Sequence, residues 1–182
     1  MQNELIKVPL VRQSTNYTCG VAALQSVLGY YGYEKREDLL AKLVKCSSET
    51  GTPNWEMVNF AKSIDFDAFS TTDFGISNLE KTIDEGIPVI VAIQAWIEDK
   101  TKDWKEIWDS GHYVVTIGYD MDKFYFMDPS TLGRYTFIPR DEFIDRWHDI
   151  DQNNNIVNQL AVVIKNKHPY SIVSPNQFSK IE

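Results

Sequence analysis

Cys19, His112, Asp128 and Gln13 supply between them a nucleophile, a base, an orienting carboxylate and an amide donor. A thiol attacks an amide carbonyl as the thiolate. A free thiol titrates near about 8.5, and a helix N-terminus or a neighbouring imidazolium lowers this to about 3.5–7.5. Cys19 follows Thr18, a residue type suited to an N-cap, and opens an apolar segment, so the helix terminus is supplied locally. The imidazole has to arrive from elsewhere in the fold. His112 follows Gly111 at the entrance to an apolar strand, and a strand end is a rigid mount for a base. Asp128 closes the next strand, just before Pro129. A short turn between antiparallel strands returns it to the sheet edge that carries His112, where a carboxylate can hold the imidazole tautomer. The attacked oxygen needs donors, and the backbone N–H of Cys19 with the Gln13 amide, six residues upstream, would serve. Each residue alone reads blandly: such a cysteine is more often a small buried hydrophobe, and an Asp-Pro pair is an ordinary turn. Their joint order carries the inference.

The elements that must position these groups follow from hydrophobic period. Leu5 to Val11 is an extended lead-in carrying Pro9, followed by a polar turn from Arg12 to Thr18. From Cys19 to Leu28 the sequence is apolar around most of a helical wheel and stops at Gly29-Tyr30-Tyr31-Gly32, which predicts a buried helix. Its small residues Gly20, Ala22 and Ala23 would let backbone approach closely. Glu34 to Lys45 predicts an amphipathic surface helix with Leu39, Leu40, Leu43 and Val44 inward. A third helix starts at Thr52-Pro53 and buries Trp55, Val58, Phe60, Ala61 and Ile64; a shorter one spans Ser77 to Glu85 and stops at Gly86. Strands are expected over Pro88 to Ile93, Tyr113 to Tyr119, Phe124 to Met127 and Arg134 to Ile138. A last helix follows from Pro139 through Trp147, then a strand from Leu160 to Ile164. Helices come first and strands later, which argues an α+β fold with a buried nucleophile helix on an antiparallel sheet.

The chain of 182 residues is long enough for one unit, with a core from about residue 8 to 165 and a polar C-terminal tail. The net charge of −8, with acids interleaved among the cations, argues against nucleic acid as a partner. No secretory signal or membrane-spanning stretch is read, so a cytoplasmic protein is expected. The two cysteines lie 27 positions apart, without a second pair at zinc-ligand spacing, so neither a disulfide framework, a metal site nor a cofactor is expected.

Three segments carry a resemblance. Gln13-Ser14-Thr15-Asn16-Tyr17-Thr18-Cys19-Gly20, Gly111-His112-Tyr113-Val114-Val115 and Phe126-Met127-Asp128-Pro129-Ser130 together resemble the papain-like peptidases that trim double-glycine leaders from bacteriocins. The likeness runs from about Val8 to about Asp149. It implies a papain-like fold, nucleophile Cys19, base His112, orienting Asp128 and oxyanion donor Gln13, acting through a thioester on a peptide or a small amide substrate. The best-known members of that family are fused to a transporter, and nothing in this sequence reads as one, so the expectation is a stand-alone member and the leader substrate does not carry over. The Cys-Gly-Ser-Cys-Trp signature of plant papains is also absent. Phytochelatin synthases resemble the same fold and transfer the thioester to a second substrate, so an acyl or peptidyl transferase is the alternative enzyme. A non-catalytic peptide-binding module is the alternative to both.

Trp96, Trp104 and Trp108 flank an acidic insertion from Ile97 to Ser110, which reads equally as a solvated loop with anchored tryptophans or as a lid in which they bind substrate. Trp147-His148-Asp149 invites a second site, but its place at the end of a predicted helix favours a capping or packing role. Cys46 reads as an idle thiol in a polar loop, and His168 carries no signal.

Overall fold

A computed structural model describes residues 5–97, 101–131, 133–151 and 153–166. His168, the polar tail and part of the insertion, 98–100, lie outside the described residues. The expected nucleophile helix is α1, Cys19–Tyr30, and it is buried along its length, with Val21, Leu24, Val27 and Leu28 at 0–1% exposure. Truncating a side chain such as Leu24 there should cost about 2–5 kcal/mol. Gly20 explains how closely α1 can lie on its neighbours. A Cβ at that position would stand 2.7 Å from the Thr52 side chain and 2.9 Å from the Tyr113 ring.

Helix α2, Glu37–Leu43, is shorter than its sequence pattern predicts. Leu40 and the following Val44 are buried, but Leu39 and Leu43 are 44% and 47% exposed. Arg36, extended at the N-cap, leaves room for only two turns, so only part of the apolar stripe reaches the core. Helix α3, Asn54–Ser63, begins one residue later than expected, with Pro53 at the cap. It buries Met57, Val58, Phe60 and Ala61 and leaves Trp55 at the surface. Helix α4 is Ile76–Asp84 and α5 is Arg140–Arg146.

One sheet of six strands runs in the order β1 (Asp67–Thr71), β8 (Ala161–Lys165), β2 (Val89–Gln94), β3 (Gly111–Tyr119), β4 (Lys123–Met127) and β5 (Thr136–Pro139), with every neighbouring pair antiparallel. The predicted strands are β2, β3, β4, β5 and β8. Two features escape the sequence pattern. Edge strand β1, Asp67–Thr71, is polar at three of its five positions, and its pairing with β8 supplies what its composition lacks. The hairpin of β6 (His148–Ile150) and β7 (Ile156–Asn158) begins where a helix end was expected. The helix stops at Arg146, and Trp147, at 1% exposure, turns into the core to stack on Phe143.

The extended lead-in runs along the sheet. Ile6 N–H donates to the Ile117 carbonyl and the Tyr135 hydroxyl donates to the Val8 carbonyl. Among the described residues no helix is long and apolar enough to cross a membrane.

Candidate active site

Cys19 begins α1 and is half-buried. Thr18 occupies the N-cap position as expected, but its hydroxyl makes no helix cap; it accepts from the Thr15 backbone N–H at 3.2 Å and tightens the turn before the nucleophile. His112, the second residue of β3, lies opposite Ile93 of β2 and is 3% exposed. Strand β4 ends with Met127 opposite Val115. One further step sets Asp128 across from position 114, on the face shared with His112, within diagonal reach. His112 Nε2 and Asp128 Oδ1 are accordingly 2.7 Å apart.

A carboxylate can only accept, so Nε2 carries a hydrogen and the other ring nitrogen, Nδ1, is left for the thiol. Burial pushes the imidazole down. The hydrogen bond to Asp128, the neighbouring Cys19 sulfur and the charge of Asp128 together outweigh burial and raise it to about 9. Asp128 is pushed up by burial and pulled down to about 2 by His112 and by donors from Ser130. Those donors are the Ser130 backbone N–H and hydroxyl, each at 2.8 Å, and Thr131 adds its hydroxyl at 3.1 Å. Sequence reasoning did not assign Ser130 and Thr131; the signal was present as an Asp-Pro-Ser-Thr turn, in which hydroxyls fold back on the aspartate.

Gln13 sits in the turn before α1. Its backbone N–H donates to the Pro129 carbonyl at 3.0 Å, tying this turn to the loop that carries Asp128. Its side-chain Nε2 donates to the Thr15 carbonyl at 2.7 Å, while Oε1 is buried without a partner among the described residues. Turning the amide over would oppose two oxygens at that distance, so the donor orientation is the stable one.

The tryptophans separate. Trp96 has φ of +55°, an uncommon conformation for a bulky residue, and its ring lies 4.6 Å from that of His112. None of the three lines the cleft at Cys19; Trp96 lines a smaller cavity with His112 and Asp128. Trp104 lies beneath the Arg146 guanidinium, 4.0 Å away, and Trp108 packs on His148 at 4.2 Å. Buried His148 donates from Nε2 to the Ile107 carbonyl, so the described part of the insertion is anchored on α5 and β6. Cys46 lies in the loop after α2 and is half-buried; it donates to the Tyr17 carbonyl at 3.5 Å and accepts from the Thr52 hydroxyl at 3.3 Å. Among the described residues, no group of three His, Cys, Asp or Glu side chains could hold a metal ion.

A thiol at the head of a buried helix, beside a charged histidine–aspartate pair on an antiparallel sheet, can hold a thiolate–imidazolium couple facing an open cleft. This is the architecture of a papain-like hydrolase of the cysteine peptidase type. The chain belongs to the Peptidase_C39 like family, whose model matches residues 5–155. It is 25% identical to the transport/processing ATP-binding protein ComA of Streptococcus pneumoniae; the match covers 82% of this chain and 21% of the relative, so the chain spans about a fifth of that protein's length. The peptidase domain of Streptococcus ComA, a bifunctional ABC transporter in quorum sensing, superposes with a TM-score of 0.65 at 24% identity, covering 89% of this chain and 99% of the domain. A Bacillus anthracis protein described as a C39-like peptidase gives 0.68 at 20% identity, covering 91% and 99%. A double-glycine motif protease from an AMS/PCAT transporter, solved with its leader peptide, gives 0.63 at 21% identity, covering 91% and 96%.

Proposed function

We propose that this cysteine peptidase hydrolyses a peptide bond through a thioester on Cys19, with His112 as acid and base, Asp128 orienting the ring, and the Cys19 backbone N–H and Gln13 amide facing the oxyanion. The carrying observation is the hydrogen bond of 2.7 Å between His112 and Asp128, with the ring raised to about 9 beside Cys19. At neutral pH the imidazole is then protonated and stabilises a thiolate. Sulfur attacks the carbonyl carbon, and the oxyanion collapses as the imidazolium donates its proton to the leaving amine. Neutral His112 next deprotonates a water that attacks the thioester, and the thiol leaves as thiolate with the proton back on the ring. Nε2 of Gln13 has a second hydrogen beyond the one given to Thr15, and that hydrogen is the donor assigned to the oxyanion. A peptide is the preferred substrate class because the relatives that share the fold include a protease solved with a leader peptide.

The test is incubation of a blocked cellular peptide digest with the wild type and with Cys19→Ala, reading new amino termini and the mass of Cys19 by mass spectrometry. New termini and a transient acyl adduct are expected from the wild type alone. Equal yields from both proteins would overturn the reading.

A further inference from the structure

The cleft onto which Cys19 and His112 open has a volume of about 450 Å3, in the range of specific ligand sites. Among the described residues its walls carry the carboxyl groups of Glu49, Asp109, Asp149 and Asp151 and no lysine or arginine. Asp149 is the one built into the sheet edge. A Cβ at Gly111 would stand 2.6 Å from both of its oxygens, so the carboxylate rests against the residue preceding His112. Oδ1 accepts from the Gln94 amide at 3.2 Å and from the Ile150 N–H at 2.8 Å; Oδ2 has no hydrogen-bond partner among the described residues. Burial pushes this carboxyl up, against those two donors and the pull of His148.

Tyr113 adds a second and independent observation. It follows His112, packs its ring on Gly20 and lines the same cleft, yet its hydroxyl has no hydrogen-bond partner among the described residues. Burial, with the negative charges of Asp149, Cys19 and Asp151, keeps the phenol protonated. The residue is partly buried and its hydroxyl is left for a ligand or water in the cleft, to which it can offer an acceptor oxygen. A half-buried carboxylate and a phenol oxygen that line the same cleft as the nucleophile match the donors of an ammonium or guanidinium.

We propose that this cleft selects substrates with a lysine or arginine side chain beside the scissile bond, the cation pairing with Asp149 and donating a hydrogen bond to the Tyr113 hydroxyl oxygen. The assignment rests on the hydrolytic reading above. It differs from diffuse attraction by the net charge of −8, which salt near 0.15 M screens beyond about 8 Å. A pair formed in a partly desolvated cleft is screened much less.

The test uses blocked peptides in which one lysine is moved through the positions flanking the cleaved bond, each paired with an Nε-acetyl-lysine twin that removes only the charge. At 0.15 M salt the wild type should cleave the best lysine peptide with kcat/KM at least about tenfold above its twin, the loss typical of removing one partner of a close charge pair. Asp149→Asn should bring this ratio within about twofold. Tyr113→Phe, which keeps the ring packing, should lower it several-fold and stands as the second variant should Asp149→Asn fail to fold. In parallel, Cys19→Ala binding of fluorescein-labelled twins is followed by polarisation. Cleavage of both twins at equal rates would overturn the cationic site and leave hydrolysis standing. Selective, Asp149-dependent binding without any cleavage by the wild type would overturn hydrolysis and leave the site. Equal binding of the twins overturns the site whichever way cleavage runs.

Discussion

Replacing Asp128 by Asn keeps an oxygen for His112 Nε2 and removes only the charge. The imidazole titrates at about 9 against 6.5 unperturbed, a difference of roughly 2.5 units, worth about 3 kcal/mol in favour of the imidazolium. Because the folded value is raised, that stabilisation is fully present below pH 6.5 and is lost as the pH rises through 9. Asp128 reports the same contact from the other side: its value is lowered from 3.8 to about 2, so its share is present above pH 3.8 and lost as the pH falls through 2. The two are one interaction and are not added. In Asp128→Asn the downward push of burial on His112 remains, the carboxylate charge is gone, and only Cys19 and a weaker hydrogen bond to a neutral amide oxygen oppose it. The ring midpoint should therefore fall by at least about one unit, forfeiting about 1.4 kcal/mol or more at pH 6. Urea unfolding of both proteins at intervals from pH 6 to pH 10, with the His112 ring proton followed by NMR, measures this. The cost of the substitution should be largest near pH 6 and fade towards pH 10. A cost that stays constant over that range, or a ring titration that does not move, would refute the reasoning.

Burial holds the Cys46 thiol up, so iodoacetamide at neutral pH should label Cys19 well ahead of Cys46, as read by peptide mapping; preferential labelling of Cys46 would point away from Cys19 as the armed thiol. Gly111→Ala should cost about 1–3 kcal/mol, because a methyl group there meets the Asp149 carboxylate, and Asp149→Ala should relieve most of it in a double-mutant cycle followed by melting. Trp104→Ala should lower the melting temperature by removing the surface under Arg146 and leave the cleavage profile unchanged; an altered profile with unaltered melting would return Trp104 to substrate binding.

The long periodic elements were legible because their burial is written in their composition. Helix α1 is apolar on every side, β2 is an unbroken apolar run before Gln94, and both are buried as their patterns require. Strand β1 was not legible, because its partner β8 lies some ninety residues further on and no local pattern records that pairing. The same holds for Leu39, Leu43 and Trp55, whose helical faces are apolar but extend past the edge of the core.

The sequence by itself determined which groups were available for chemistry and the strand ends and helix head on which they are mounted, since capping, period and turn chemistry act within a few residues. What met what was decided by the tertiary structure alone. The β3–β4 register aims Asp128 at His112, and the pairing of β2 with β3 sets Gly111 opposite Gln94, which holds Asp149 at the cleft. The anchoring of Ile107 by His148 carries Trp104 and Trp108 away from Cys19, while the left-handed turn at Trp96 lays its ring on His112. Each of these depends on contacts between residues distant in the chain, whose free energy exists only once the sheet and its helices have assembled.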